Sequence, residues 1–292
     1  MGTPEPDSRA CNIIETVRAD TQSGAAQLAT RALTLVRQWL AAGGVSTDAL
    51  EQLLTDLAKA RPSMVPLANA IERVRQGLVG SQNGASTAEQ ALPVVDSVLE
   101  QIASANRRVA EFATTRVSEQ ARIFTHSRSS QVLALFRLLV QQGRNFSVIC
   151  TQSSPGNEGF TLARELDELG VRVTVITDAQ MGLFVPKADL VLCGCDTWLA
   201  DGHFLNKAGS YPLALLARAE AKPLWVLADS FKDSTAPHDE VTLEEMAANQ
   251  LGAPAGQHIT VRNLYFEPVP VQLISGRISE QGVFSFPAEP GP

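Results

Sequence analysis

Long apolar runs are missing from this chain. None approaches the roughly 20 residues of a membrane helix, so no membrane span is expected. An excess of basic charge is missing too: 24 lysines and arginines face 31 aspartates and glutamates, for a formal net charge of -7. No general footprint for nucleic acid is therefore present. Cysteine is sparse, with Cys11, Cys150, Cys193 and Cys195 in 292 residues, which argues against a disulfide-stapled scaffold and for free thiols in a reducing compartment. Neither these cysteines nor His126, His203, His238 and His258 fall at metal-ligand spacing, so no metal and no cofactor are expected. The amino-terminal stretch MGTPEPDSRA lacks the apolar centre of a secretory signal, and a cytoplasmic location is the expectation.

What is present is a chain of two textures. Hydrophobic residues make up 45% and charged residues 19%, enough apolar material for ordinary globular cores. From Cys11 to about Arg116 the apolar residues recur at helical spacing, as in Ala25, Leu28, Ala29, Ala32, Leu33 and Val36. Asp20, Thr21, Gln22 and Ser23 carry capping chemistry just before that stripe. Further helices are expected from Asp48 to Lys59, capped by Thr47 or Asp48, and from Val65 to Leu78. Another is expected from Thr87 to Arg116, interrupted at Pro93.

Beyond Glu119 short branched apolar runs alternate with helical patterns. The runs are Arg122 to Thr125, Phe146 to Thr151, Val171 to Thr177, Leu190 to Gly194 and Leu224 to Ala228. Strands alternating with helices of this length specify a parallel sheet covered on both faces. The fold class is therefore α/β, a helical domain over 1–118 followed by a Rossmann-like parallel-sheet domain over 119–292. The tail from Phe284 onward reads as frayed.

The strand exits are polar. Strand one ends in Thr125, His126 and Ser127, strand two in Thr151, Gln152, Ser153 and Ser154. Strand three leads to Asp178, strand four to Asp196, and strand five to Asp229, Ser230 and Lys232. Ligands of open parallel sheets bind beyond the carboxyl ends of the strands, which makes Asp196 either a site carboxylate or a plain strand-end turn residue. Asn206 and Lys207 offer an amide and an ammonium suited to hydroxyls and phosphates. Gly209 and Ser210 open a helix from Tyr211 to Ala219, whose amino terminus favours an anion.

The order Thr125-His126-Ser127, Gly194-Cys195-Asp196, Asn206-Lys207-Ala208-Gly209-Ser210-Tyr211 and Ser230-Phe231-Lys232 resembles the initiation factor 2B alpha/beta/delta family. So does the closing segment from Asn263 to Pro270, with Ile274 and Ser279 to Gly282. That family includes regulatory subunits of a translation initiation complex, ribose-1,5-bisphosphate isomerase and methylthioribose-1-phosphate isomerase. The resemblance implies a phosphorylated small molecule as ligand, a second copy of the chain as partner, and a protein partner that the residues do not identify. It assigns Asp196 as the catalytic acid/base and Ser127, at the position of the family's cysteine, as the second catalytic residue. Gln22, Ser23, Gly24, Thr125, His126, Ser127, Ser153, Ser154, Asn206, Lys207, Gly209, Ser210 and Lys232 complete the expected substrate-binding set.

Two departures weigh on the implied function. Ser127 stands where the family's isomerases carry a cysteine. A thiol titrates at about 8.5 and can be brought towards neutrality, whereas a hydroxyl is much harder to ionise. Ser154 stands before Pro155 where an arginine is expected, which removes a bidentate anion grip; Arg128 and Arg164 are the nearby guanidinium candidates. Three readings follow: a binding or regulatory protein, an aldose-ketose isomerase, and a translation-related interaction subunit.

Overall fold

The computed structural model describes residues 8–20, 23–62, 64–79 and 86–286. The chain divides into two compact units, Met1–Ser104 and Ala105–Pro292.

The first unit is built from α1 (Ser8–Arg18), α2 (Ala25–Ala41), α3 (Thr47–Ala58), α4 (Val65–Leu78) and the start of α5 (Thr87–Thr114). Leu28, Ala32, Leu33, Val36 and Leu40 bury one face of α2, because steps of three and four residues keep them on one stripe. Leu50, Leu53, Leu54 and Leu57 of α3 and Leu67, Ile71 and Val74 of α4 do the same.

Three local expectations change. The Asp20 carboxylate does not cap α2; it accepts from the Ser23 amide and hydroxyl at 2.9 and 2.8 Å and pairs with Arg31. Asp20 thus closes the turn between α1 and α2, while Gly24 sits at the cap position. Ser46, not Thr47 or Asp48, caps α3 by accepting from Ala49 N–H. Pro93 lies inside an uninterrupted α5. One ladder hydrogen bond is lost there, but the buried Ala91, Val95 and Val98 hold the turns on either side.

The second unit is a seven-stranded sheet covered on both faces. Its strands are β1 (Ala121–Thr125), β2 (Phe146–Thr151), β3 (Arg172–Ile176), β4 (Leu190–Cys193), β7 (Leu224–Leu227), β9 (Gly276–Ser279) and β10 (Gly282–Ser285). They run in the order β10-β9-β7-β4-β1-β2-β3. All neighbours are parallel except β10, which returns antiparallel on β9. Ile123, Val148, Leu190, Leu192 and Leu227 pack on one side with α6 (Ser130–Gln141) and α7 (Glu158–Glu168). Phe124, Ile149, Val191, Cys193 and Val226 pack on the other with α8 (Met181–Phe184) and α9 (Ser210–Ala219). In β1, β2, β4 and β7 both faces are buried and the strands read as continuous apolar runs, whereas the edge strands β3 and β10 are largely exposed.

A second sheet was not legible in the chain. β5 (Thr197–Trp198), β6 (His203–Lys207) and β8 (Phe266–Pro270) form an antiparallel ribbon in the order β5-β6-β8. β5 is too short and β6 too polar to carry a strand signal. Phe284 and Ser285 belong to β10 rather than to a frayed tail; residues 287–292 lie outside the described residues. No helix among the described residues is long and apolar enough to cross a membrane.

Candidate functional site

Sheet order sorts the polar exits into a row: Asp178 after β3, Ser153 and Ser154 after β2, His126 and Ser127 after β1, Asp196 after β4, then Asp229 and Lys232 after β7. Successive strands step outwards in opposite directions from β1 and β4, so the gap between those two exits is the switch point where such sheets bind ligands. Gly194 keeps the neighbouring walls close: a Cβ there would lie 2.5 Å from the Ser129 Cβ and Oγ. Ser129 in turn caps α6.

On the β1 side a chain of hydrogen bonds orients the backbone. His126 is buried, with Nε2 at 2.9 Å from the Ala208 carbonyl and Nδ1 at 2.6 Å from Thr151 Oγ1. A carbonyl only accepts, so Nε2 carries the proton and Nδ1 of the neutral ring accepts from Thr151. Burial pushes the imidazole pKa down, favouring this neutral form. Thr151 Oγ1 lies 3.0 Å from Ser153 Oγ, which accepts from Ser127 N–H at 2.8 Å. Ser127 itself is held at a φ of 64°, an uncommon conformation for a residue with a side chain. Both imidazole nitrogens are taken up elsewhere, so His126 is not placed to activate the Ser127 hydroxyl. Gly209 makes room for the ring: its φ is +108°, and a Cβ would sit 2.7 Å from His126 Nε2.

On the β4 side Asp196 donates its amide to the Leu205 carbonyl at 2.9 Å. Burial pushes its carboxyl up to about 6, with the ammonium groups of Lys232 and Lys207 opposing the rise. Lys232 is buried and donates to Gln131 Oε1 at 3.0 Å; Gln131 Nε2 donates to Asp229 Oδ2 at 2.6 Å. Burial also raises the Asp229 pKa. Lys207 is buried between the Glu158 carboxylate, at 2.8 Å, and the Tyr265 ring, at 3.5 Å from its centroid. Its charge is thus matched by an anion and a ring face.

Several expected ligand groups are engaged within the protein. Asn206 donates its amide to Ser210 Oγ at 2.7 Å, and Ser210 donates to the Lys207 carbonyl. The amino terminus of α9 does attract an anion, but that anion is Glu267 of β8, which accepts from Gly209 and Tyr211 N–H at 2.7 and 2.8 Å. Asp178 accepts from the Ser153 and Ser154 amides at 2.9 and 2.7 Å. Arg128 makes a two-bond fork with Glu165, both bonds 2.7 Å, while Arg164 is exposed. Thr125 is buried at the end of β1. Ser23 and Gly24 lie in the first unit, between α1 and α2; Gln22 lies outside the described residues.

Cys195, next to Asp196, is no substitute for the missing cysteine, because burial raises its thiol to about 12. Cys193 is raised to about 12 and Cys150 to about 11 by the same cause. Glu158, Gln131, Glu267 and Tyr265 were missed as site residues. A faint signal existed for Gln131: it is a polar residue four before buried Leu135 on the same helical stripe. Glu158 had none, since its only mark is to begin α7. Its Oε2 is buried without a hydrogen-bond partner among the described residues.

Residues 17–286 match the family model of the Initiation factor 2 subunit family. The chain is 35% identical over 237 residues to a Pyrococcus abyssi protein named as translation initiation factor eIF-2B subunit 2-like, covering 81% of each. It is 31% identical over 234 residues to ribose 1,5-bisphosphate isomerase of Archaeoglobus fulgidus, covering 77% of this chain and 73% of that protein. Its fold matches the translation initiation factor eIF-2B of Pyrococcus horikoshii OT3 with a TM-score of 0.82 at 29% identity, across 96% of this chain and 98% of the other. On the strength of a match that spans both units, the chain belongs to the Initiation factor 2 subunit family.

Proposed function

We propose that this protein binds a phosphorylated sugar or a nucleotide phosphate at the switch point between β1 and β4, as a regulatory member of its family with weak or no isomerase turnover. One observation carries the reading. Asp196, its carboxyl pushed up to about 6, follows β4, while Ser127, where the family's isomerases carry a cysteine, follows the neighbouring β1. Lys232 and Lys207 supply positive charge towards Asp196. A ligand phosphate competes with Glu158 for Lys207, which disfavours a highly charged ligand and favours a monophosphate.

The test is thermal unfolding against ribose 1,5-bisphosphate, methylthioribose 1-phosphate and a set of nucleoside monophosphates. At a concentration 100 times Kd, binding adds about 2.7 kcal/mol, a rise of several degrees in Tm for a domain of this size. No rise with any of them at saturating concentration would discard the proposal. Ser127→Cys refines it: appearance of isomerase activity in that variant, absent in the parent, supports a binding protein derived from an enzyme.

The isomerase reading has its own support in Asp196, since general acid/base groups work best with a pKa near the operating pH. Turnover of either sugar phosphate by the unaltered chain would favour it over the regulatory one. A role in translation initiation through protein contacts rests on the similarity to eIF-2B proteins; retention of an initiation factor from the native host on the immobilised protein would support it.

Residues 119–292 form the ligand-binding and dimerisation part in this proposal, with 1–118 as the helical domain, and the protein acts in the cytoplasm as a homodimer. Leu183 on α8 and Tyr211 and Leu215 on the adjoining α9 are exposed, offering apolar surface for a two-fold contact, the commonest oligomeric symmetry. Light scattering at micromolar concentration is expected to give twice the mass of 31.3 kDa. The monomer mass would refute the dimer.

A further inference from the structure

Thirty-five positions separate His203 from His238, and nothing in their spacing marks a metal site. Folding brings them together on the flank of the β5-β6 ribbon. Asp201 lies in the turn before β6, His203 is the first residue of β6, and His238 opens a short 3-10 turn, His238–Glu240. One ligand atom from each of the three lies within 4.8 Å of the others. His203 Nδ1 is 3.3 Å from Asp201 Oδ1, and His238 Nδ1 is 2.5 Å from Asp201 Oδ2. The two imidazole rings are tilted against one another, centroids 4.1 Å apart at 33°.

From this geometry we propose a divalent transition-metal site formed by Asp201, His203 and His238, taking Zn²⁺ or Co²⁺. Two imidazole nitrogens and one carboxylate oxygen leave a fourth tetrahedral position for water. Bonds of about 2.0–2.1 Å place tetrahedral donors roughly 3.3–3.4 Å apart, which the His203–Asp201 pair already matches. His238 Nδ1 contacts the other carboxylate oxygen, Oδ2, and must swing from that hydrogen bond towards the shared ion. Side-chain exposures of 23% for His203, 26% for Asp201 and 42% for His238 leave the cluster open to ions. Neighbouring backbone holds the donors in place: His238 N–H donates to Asp201 Oδ2 at 2.9 Å, Ala200 N–H to the Ala236 carbonyl, and Ser234 N–H to the Trp198 carbonyl.

The site has a location with consequences. His238 stands near the start of the long, mostly exposed excursion between Lys232 and β8. Near the end of that excursion Tyr265 covers Lys207, and Glu244 within it adds negative charge towards Asp196. A metal fastened to His238 on the excursion and to Asp201 and His203 on the ribbon therefore tethers the segment that carries Glu244 and Tyr265. This metal site does not depend on the ligand proposed above.

The experiment uses untagged full-length protein carrying Cys11→Ser, because Cys11 is an exposed thiol that would compete for metal. Titration with Co²⁺, followed by its visible absorption, and with Zn²⁺ by calorimetry is expected to show one equivalent bound. His203→Ala and His238→Ala are each expected to weaken binding by about tenfold or more, and His258→Ala, an exposed histidine outside the cluster, to leave it unchanged. Asp201→Asn keeps the shape of the side chain and is expected to lose metal while its circular dichroism stays that of the parent. Amide exchange across 233–265 should slow on addition of Zn²⁺ in the Cys11→Ser protein and not in its His238→Ala derivative. No saturable uptake up to about 100 μM metal, or uptake indifferent to both histidine substitutions, would overturn the assignment.

Discussion

Asp196→Asn is expected to make the protein more stable at pH 7.5 and at the same time to abolish its response to ligand. The reasoning begins with the direction of the pKa shift. Burial raises the Asp196 carboxyl from 3.8 to about 6, so the folded state binds its proton more tightly than the unfolded state does. The contribution of Asp196 to stability is therefore greatest below about 4, falls as pH rises from about 4 to about 6, and above that range carries the full cost of the desolvated carboxylate. A shift of roughly two units corresponds to a cost on the order of 2–3 kcal/mol. Asparagine has the same shape and no charge, so it removes that cost at neutral pH and changes little near pH 4. Urea unfolding of both proteins across pH 4 to 8 measures it directly. A variant less stable than the parent at pH 7.5 would mean that Lys232 and Lys207 outweigh desolvation, and that the carboxylate is a structural anchor. Lost stabilisation by sugar phosphates in the same variant would link the strained charge to binding. A residue that lowers stability while improving function is a known mark of a working site.

Gly159→Ala is expected to produce the largest loss of stability among single-methyl changes in the second unit. A Cβ on Gly159 would stand 1.8 Å from the Thr151 carbonyl oxygen and 3.0 Å from the Gln152 carbonyl carbon. Both are backbone atoms at the end of β2, so no rotamer change relieves the clash. Either α7 must lift or the β2 exit must shift by more than an ångström, at a cost of roughly 3 kcal/mol or more, near the top of the range for overpacking. The damage reaches the site, because the same exit carries Thr151 and Ser153, which orient His126 and the Ser127 amide. A clear fall in the urea midpoint and a loss of ligand-induced stabilisation are expected together. Gly182→Ala is the control: nothing lies within 4 Å of its added methyl, and alanine in a helix restrains the unfolded chain. Equal effects from the two substitutions would show that α7 does not sit where its contacts place it.

Periodicity carried much of the fold into view. The helices of the first unit announce themselves because each buries its apolar residues at a regular step, and β1, β2, β3, β4 and β7 because each is a short run of branched apolar residues; both signals survive in one dimension. The closeness of Lys207 to Glu158 does not. Those two residues are 49 positions apart, and nothing near either of them in sequence records the other.

The exits of the strands are polar by sequence alone, since backbone and side chains at a sheet's end meet water. Asp196 and Ser127 were recognisable as residues, together with the consequence of a hydroxyl where a thiol is expected. Their placement on either side of one gap was decided by strand order, a choice made by packing across both sheet faces. The same packing put Glu267 at the amino terminus of α9 and Ser210 against Asn206, engaging groups that as isolated residues are suited to phosphate. It also gathered Asp201, His203 and His238. Composition and period determined what each segment had to bury; only the closing of the chain on itself determined which charges were left facing one another, because electrostatic partners are chosen by distance in space and not along the chain.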